Sequence, residues 1–292
     1  MMKTYLHIPK IKIHNANAMS SPYTIGFPAM TAWLGMVHAL QRELPSEIIF
    51  NGVAVSCHEF ELMAQNGNIF LTANPMRKKG REFERPPFIP EARCNLQVSL
   101  LLETDGVNAD NEEKILAFIQ KRLHRMKAAS GDILGFGKLA VIYLDDEAEN
   151  YLTDMAKLKR KLMPGYALRE RKDLLQEAAG QGDVLNNILD YLKLYCQAET
   201  DENGKAKWNY IKKAAGWLVP LAIGYKRISK LTKVNGQRDK DTPHCFVESV
   251  LTLGEFIMPY RIEDINEIMW HYEVDEEKGM YLCINNIETE EK

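Results

Sequence analysis

Apolar and polar residues alternate from Tyr5 to His14, and the alternation breaks phase once. Leu6 and Ile8 share one parity, Ile11 and Ile13 the other. That pattern predicts a strand with a bulge or edge at Pro9, which cannot donate to a ladder. Past the slip, Lys10, Lys12 and His14 share the face opposite the two isoleucines. A polar loop follows, and Pro28 suits the first turn of a helix in which Trp33, Leu34, Val37, Leu40 and Leu44 recur at helical spacing. GVAVSCHEF (52–60) alternates as a strand, and NIFLT (68–72) follows an Asn-Gly turn signal at 66–67. A basic loop with four prolines, 73–93, separates it from the strand NLQVSLLL (95–102). The two strands and their loop therefore read as an extended hairpin, a finger standing off the sheet. The segment 111–129 is amphipathic, with Ile115, Phe118, Ile119 and Leu123 inward and its charges matched to the helix dipole. A glycine-rich loop, 130–138, leads into the strand LAVIYL (139–144).

These elements predict an α+β fold. Their order is that of a ferredoxin-like β-α-β-β-α-β unit over residues 1–144, with an elaborated middle. From 145 to 200 the periodicity is helical and reads as an insertion. ETDENGKAK (199–207) reads as a charged loop. Residues 201–292 alternate short strands and helices that complete the fold, including 216–226, 246–262 and a hairpin around Glu277–Gly279. No period of 20–50 residues marks a repeat protein.

Charge sharpens the picture through its distribution. The net charge is only −3, yet residues 205–240 hold ten Lys/Arg against one Asp, and 263–292 hold ten acids against two Lys. Such asymmetry suits a basic surface for a polyanion. The first acidic residue is Glu43, so the opening strand and loop are free of carboxylates. Five cysteines without a C-x-x-C pair read as reduced thiols. No N-terminal apolar h-region and no apolar run of roughly 20 residues is present. The expectation is a cytoplasmic, soluble chain without a membrane partner.

Catalytic chemistry finds little support. The seven histidines form no metal motif, and no G-x-S-x-G, Walker A or paired-acid signature occurs, so neither a cofactor nor a metal is expected. Ligand binding has more. Asn15, Asn17, Ser20, Ser21 and Thr24 can donate to phosphates, 2′-hydroxyls or base edges, although such residues also make capped turns. Arg77, Lys78, Lys79, Arg81 and Arg85, interleaved with Phe83 and Phe88, offer charges for phosphates and rings for bases; a solvated loop is the alternative. Gly131, Gly135 and Gly137 permit close backbone approach.

HNANAMSSPYTIGFPAMTAWLGMVHAL (14–40) resembles the opening of the second Csy protein family of type I-F CRISPR systems. FLTANP…NLQVSLLLE, LMPGYAL (162–168, read as helical), GWLVPLAIGY (216–225) and RDKDTPHCFVESVLTLGEFIMPYRI (238–262) resemble later blocks, in order and over nearly the whole chain. The resemblance implies a Cas-five-type RAMP subunit with a ferredoxin-like or RRM-like domain, its thumb hairpin at 73–93. It implies a non-enzymatic role in antiviral defence within the Csy (Cascade) surveillance complex. Such a subunit holds the 5′ handle of the crRNA, forms a heterodimer with the large PAM-reading subunit and abuts a backbone subunit. Target DNA is a further candidate partner. On this basis Lys10, Lys12, His14, Asn15, Asn17, Ser20, Ser21 and Thr24 are expected to line the handle site. Arg77, Lys78, Arg81, Arg85, Gly135, Gly137 and Lys138 are expected to add RNA contacts. Arg238 and His244 are assigned to that site or to the large-subunit interface. Two rivals stand: an endoribonuclease processing precursor crRNA, using His14 or His58, and a protein-binding scaffold without RNA contact.

Overall fold

The computed structural model describes residues 2–65, 68–69, 71–72, 77–84, 91–178, 183–200, 206–237 and 239–285. Strand β1 spans Met2–Asn17, α1 Met30–Gln41, β2 Ile49–Leu62, β3 Glu91–Asp105 and α2 Glu112–Leu123. Next come β4 (Gly131–Gly135), β5 (Ala140–Asp145), α3 (Tyr151–Lys161), β6 (Tyr166–Glu170), α4 (Lys172–Glu177) and α5 (Val184–Leu192). Strands β7 (Tyr195–Thr200), β8 (Ala206–Ile211), β9 (Trp217–Arg227), β10 (Val247–Ile257), β11 (Trp270–Asp275) and β12 (Met280–Asn285) follow. The fold is α+β, with five α-helices among the described residues beside one large antiparallel sheet.

The sheet runs β4-β1-β3-β2-β6-β10-β9-β12-β11, and β5 extends it along the first half of β1. Its far end returns on itself: Trp270 of β11 pairs with Val53 of β2, closing a ring of six strands. Trp270 is fully buried and donates its indole N–H to the Leu168 carbonyl at 2.9 Å.

One face of the first half carries α1 and α2. Ile8, Ile11 and Ile13 pack there with Trp33, Val37, Ile115 and Ile119. On the opposite face Tyr5, Ala54 and Leu101 meet Met155, Leu158 and Leu162 of the α3 segment. The phase slip in β1 is real: register shifts fall between Ile8 and Ile11 and between Ile13 and Ala16. Without the first bulge Ile11 and Ile13 would turn from the helices to solvent, at a cost of about 2 kcal/mol each.

Several elements differ from the sequence reading. Helix α2 ends at Leu123, and Lys127–Ala128 is already extended. Phe118 is 36% exposed because the buried stripe is Ile115, Ile119 and Leu123, spaced by four. The glycine-rich loop contains a strand, β4, paired to β1. Gly131 makes this pairing feasible, since a Cβ there would stand 2.7 Å from the His14 carbonyl oxygen. The helical reading of 162–168 gives way to β6, lodged between β2 and β10. Ala167 and Leu168 are buried on opposite faces of that strand, so it has no polar alternation to betray it. Part of 199–207 belongs to a β7–β8 hairpin. Helix α1 begins at Met30, two residues beyond Pro28.

Candidate nucleic-acid interface

Strand β1 presents its polar face at two bulges of the same construction. Lys10 and Asn15 both hold left-handed backbone angles, φ 51° and 58°, an unfavourable conformation for residues other than glycine. At the first bulge the Lys10 N–H donates to Ser99 Oγ at 3.0 Å; at the second the Asn15 N–H donates to Asn95 Oδ1 at 3.1 Å. Side chains of β3 thus replace the ladder bonds that the bulges break. Lys10, Lys12, His14 and Asn15 are all exposed as a result, while Ile11, Ile13 and Ala16 are buried.

The histidines separate by their bonding. His58 Nε2 lies 2.6 Å from Ser99 Oγ, and Nδ1 contacts the Pro164 carbonyl. A carbonyl only accepts, so Nδ1 carries the proton and Nε2 accepts from the Ser99 hydroxyl. Both ring nitrogens of His58 are therefore committed. His7 is 4% exposed, and burial lowers its pKa to about 4, with Lys161 and His58 adding to the shift. His14 is exposed and has no hydrogen-bond partner among the described residues. A general base needs such a partner or a substrate in reach.

The other expected residues divide. Ser21 and Thr24 are buried, with hydroxyls 2.7 Å apart, and Ser20 lies 2.9 Å from Thr24. These groups stitch a tight turn, Met19–Ser21 against Thr24–Ile25. Asn17 Oδ1 accepts from the Met19 N–H at 2.9 Å. Gly135 pairs with Lys12, and the Gly137 N–H donates to the Pro9 carbonyl at 2.7 Å, leaving Lys138 exposed nearby in sequence. Arg77–Lys79 pairs with Glu82–Glu84 as a small hairpin that exposes Lys78, Lys79 and Arg81. Arg85 and Arg238, with 73–76 and 85–90 of the expected thumb, lie outside the described residues. His244 bridges to Thr232, and its ring meets Phe246 edge-on at 5.6 Å. Among the described residues of the expected set, Gly135 and Gly137 stand beside the Lys10–His14 stretch, whereas the Ser20, Ser21 and Thr24 hydroxyls are taken up by their own turn.

A cleft of about 710 Å³ gathers different residues. Its floor is the outward face of α1, including Thr31, Gly35 and His38, and one wall is the last turn of α2 and the segment after it, with Arg122, Arg125 and Lys127. Tyr225, Tyr272 and Tyr281 close the far side, while Asn17 and Ser20 reach it from the loop after β1. The Arg125 side chain is exposed and has no hydrogen-bond or ion-pair partner among the described residues. Arg122 pairs with Glu43 through one terminal nitrogen, yet its buried Nε–H is unsatisfied. Lys127 is held by Asp132 at 2.6 Å. Helix α1 has no side-chain cap and no acid in its first turn, so its positive end is uncompensated beside the cleft. The Tyr272 and Tyr281 rings are 5.0 Å apart, and burial raises the pKa of both. They stay neutral donors and flat surfaces. Cations, a helix N-terminus and neutral aromatics around one cleft suit a single-stranded polyanion with bases. Only Asn17 and Ser20 were anticipated from sequence. The cluster KRLHRMK (121–127) was visible as helix-end charge, but the tyrosines lie nearly 100 residues or more further along the chain. Among the described residues no group of three His, Cys, Asp or Glu could hold a metal.

With the fold and the cleft in view, the class is that of a CRISPR-associated protein. The family model described as CRISPR-associated protein (Cas_Csy2) matches residues 6–283, and the chain belongs to that family. The CRISPR-associated protein Csy2 of Pseudomonas aeruginosa (strain UCBPP-PA14) is 31% identical over 309 residues, covering 94% of this chain and 93% of that protein. The chain is accordingly a Csy protein of a type I-F CRISPR system. No helix among the described residues is long and apolar enough to cross a membrane.

Proposed function

We propose that the chain is the non-catalytic subunit of the Csy surveillance complex that grips the 5′ handle of the crRNA. In this reading it pairs with the large PAM-reading subunit and abuts a backbone subunit. The observation that carries the reading is the cleft in which Asn17, Ser20, Arg122 and Arg125 face Tyr272 and Tyr281. Phosphates would sit at Arg125, the part-exposed Arg122 guanidinium and the start of α1, where charge-assisted bonds are strong. Splayed bases would lie against the tyrosines, and Asn17 and Ser20 would read their edges. Lys10, Lys12 and His14 would take the continuing strand across the outer sheet face.

The strand order β4-β1-β3-β2, with α1 and α2 on one face, supports a ferredoxin-like RAMP core over 1–144. Residues 145–200 then form an insertion and 201–292 the completing part. The 77–84 hairpin supports a thumb there. The endoribonuclease reading loses support from His58, whose nitrogens are both engaged. Assembled complexes carrying Arg122→Glu and Arg125→Glu test the proposal. Their bound crRNA should fall at least tenfold, and undiminished retention would overturn the assignment. Metal-independent cleavage of repeat RNA by the pure chain, lost in His14→Ala, would restore the nuclease.

A further inference from the structure

Strands β7 and β8 pair only with each other and form a separate ribbon beside the main sheet. The register sets Cys196 opposite Tyr210, Ala198 opposite Trp208 and Thr200 opposite Ala206. Cross-strand partners and alternate residues share a face, so all six lie on one side. Trp208 and Tyr210 are 59% and 65% exposed. Neither ring has an aromatic or cation–π partner among the described residues, and the residues opposite them, Cys196 and Ala198, are small. A lone two-stranded ribbon is marginal in water, and this one spends two large aromatics on an uncovered face. An occupant is implied.

Charge and spacing say which. Across 195–200 and 206–213 three lysines, Lys207, Lys212 and Lys213, stand against one acid, Glu199. All three are exposed. Lys212 makes only a 3.5 Å contact to the Gly216 carbonyl, and Lys213 rests over the Tyr191 ring. Trp208 and Tyr210 stand about 6.8 Å apart along the strand, within the reach of one nucleotide step in a stretched single strand. Rings at that interval, edged by long flexible cations, match the way single strands are held without sequence preference. Lys207, opposite Glu199, lies on the other face of the ribbon. We propose that the Trp208–Tyr210 face is a second RNA contact, a stacking platform for a single strand whose phosphates meet Lys212 and Lys213. The inference takes from the proposed function only that a single-stranded RNA is the ligand, and it does not depend on the cleft.

Tryptophan fluorescence tests it cleanly. Trp33 and Trp270 are fully buried, and Trp217 is the other exposed indole. In the full chain carrying Trp217→Phe, titration with oligo(U) should quench Trp208 saturably, with a log K against log salt slope of about −1.4 for two phosphate contacts. Trp208→Leu should weaken oligo(U) binding roughly tenfold. Should that variant misfold, alkylation of the exposed Cys196 in the unaltered chain gives a second readout, and saturating oligo(U) should slow it. Absent quenching together with unprotected Cys196 overturns the platform. So does quenching that disappears in Arg125→Glu, because the strand would then belong to the cleft. A Trp208 emission shift produced by the other Csy subunits but never by oligo(U) would make the face a protein contact and overturn the proposal as well. Loss of handle retention in the cleft variants with Trp208 quenching intact supports both sites, whereas retention unaffected there sinks the cleft reading alone.

Discussion

Ser99 accepts the Lys10 N–H at 3.0 Å while its hydroxyl meets His58 Nε2 at 2.6 Å. One fully buried serine on β3 thereby fixes a bulge on β1 and the ring of a histidine on β2. Asn95, four residues earlier on β3, fixes the second bulge through Asn15 from a half-buried position. The polar face of β1 is held in place by side chains of the neighbouring strand, not by its own turn residues.

That dependence predicts unequal costs. Ser99→Ala leaves a part-buried N–H and an imidazole nitrogen unpaired and should destabilise the fold by about 2 kcal/mol. Asn95→Ala exposes its orphaned N–H to water and should cost under about 1 kcal/mol. Urea unfolding of the two variants measures the difference, and equal losses would show that the Ser99 bonds contribute nothing special.

His7 predicts an acid sensitivity. Its folded pKa, about 4, lies below the ordinary value of 6.5 because burial disfavours the cation. Between those values the unfolded chain binds the proton and the folded chain does not, so stability falls as pH falls. The loss begins near pH 6.5 and reaches about 3 kcal/mol by pH 4. His7→Leu should flatten that part of the profile in pH-dependent denaturation. An unchanged slope would assign the acid loss to other groups.

Glu255 predicts a moderate electrostatic lesion. It is 8% exposed and accepts from Arg169 Nε at 3.0 Å and from Arg171 Nη1 at 3.0 Å, joining β10 to β6 and its exit. Glu255→Gln removes the carboxylate the two part-buried guanidinium groups share, but Arg169 keeps Glu267 and Arg171 keeps Asp173, so the change should cost about 1.5 kcal/mol. Thermal melts should show the loss, and Arg169→Met should cost less in the Glu255→Gln background than alone. Strict additivity of the two changes would argue against a shared network.

How far the sequence could lead is clear from these residues. The β1 bulge was legible because Pro9 and the pairs Leu6/Ile8 and Ile11/Ile13 record the parity change. Helix α1 and the β11–β12 hairpin were legible for similar local reasons. Strand β6 was not, because Ala167 and Leu168 are buried on both sides and carry no alternation. The turn residues Ser21 and Thr24 had the right chemistry for a ligand, but their hydroxyls satisfy each other. The cleft was hidden for a different reason. Its cations come from the end of α2 and the segment after it, and its rings from β9, β11 and β12, far apart in the chain.

Gly35 offers a test of the cleft that separates folding from binding. It sits mid-helix in α1, and a Cβ there would lie 3.9 Å from the Tyr272 hydroxyl, an ordinary contact. Gly35→Ala should therefore stabilise the helix by about 1 kcal/mol and leave crRNA retention unchanged. Gly35→Leu keeps the helix gain but pushes branched carbon into the space between α1 and the tyrosines. Retention of the handle should fall severalfold while the melting temperature does not. Should Gly35→Leu hold crRNA as well as the unaltered chain, the RNA does not pass between α1 and Tyr272.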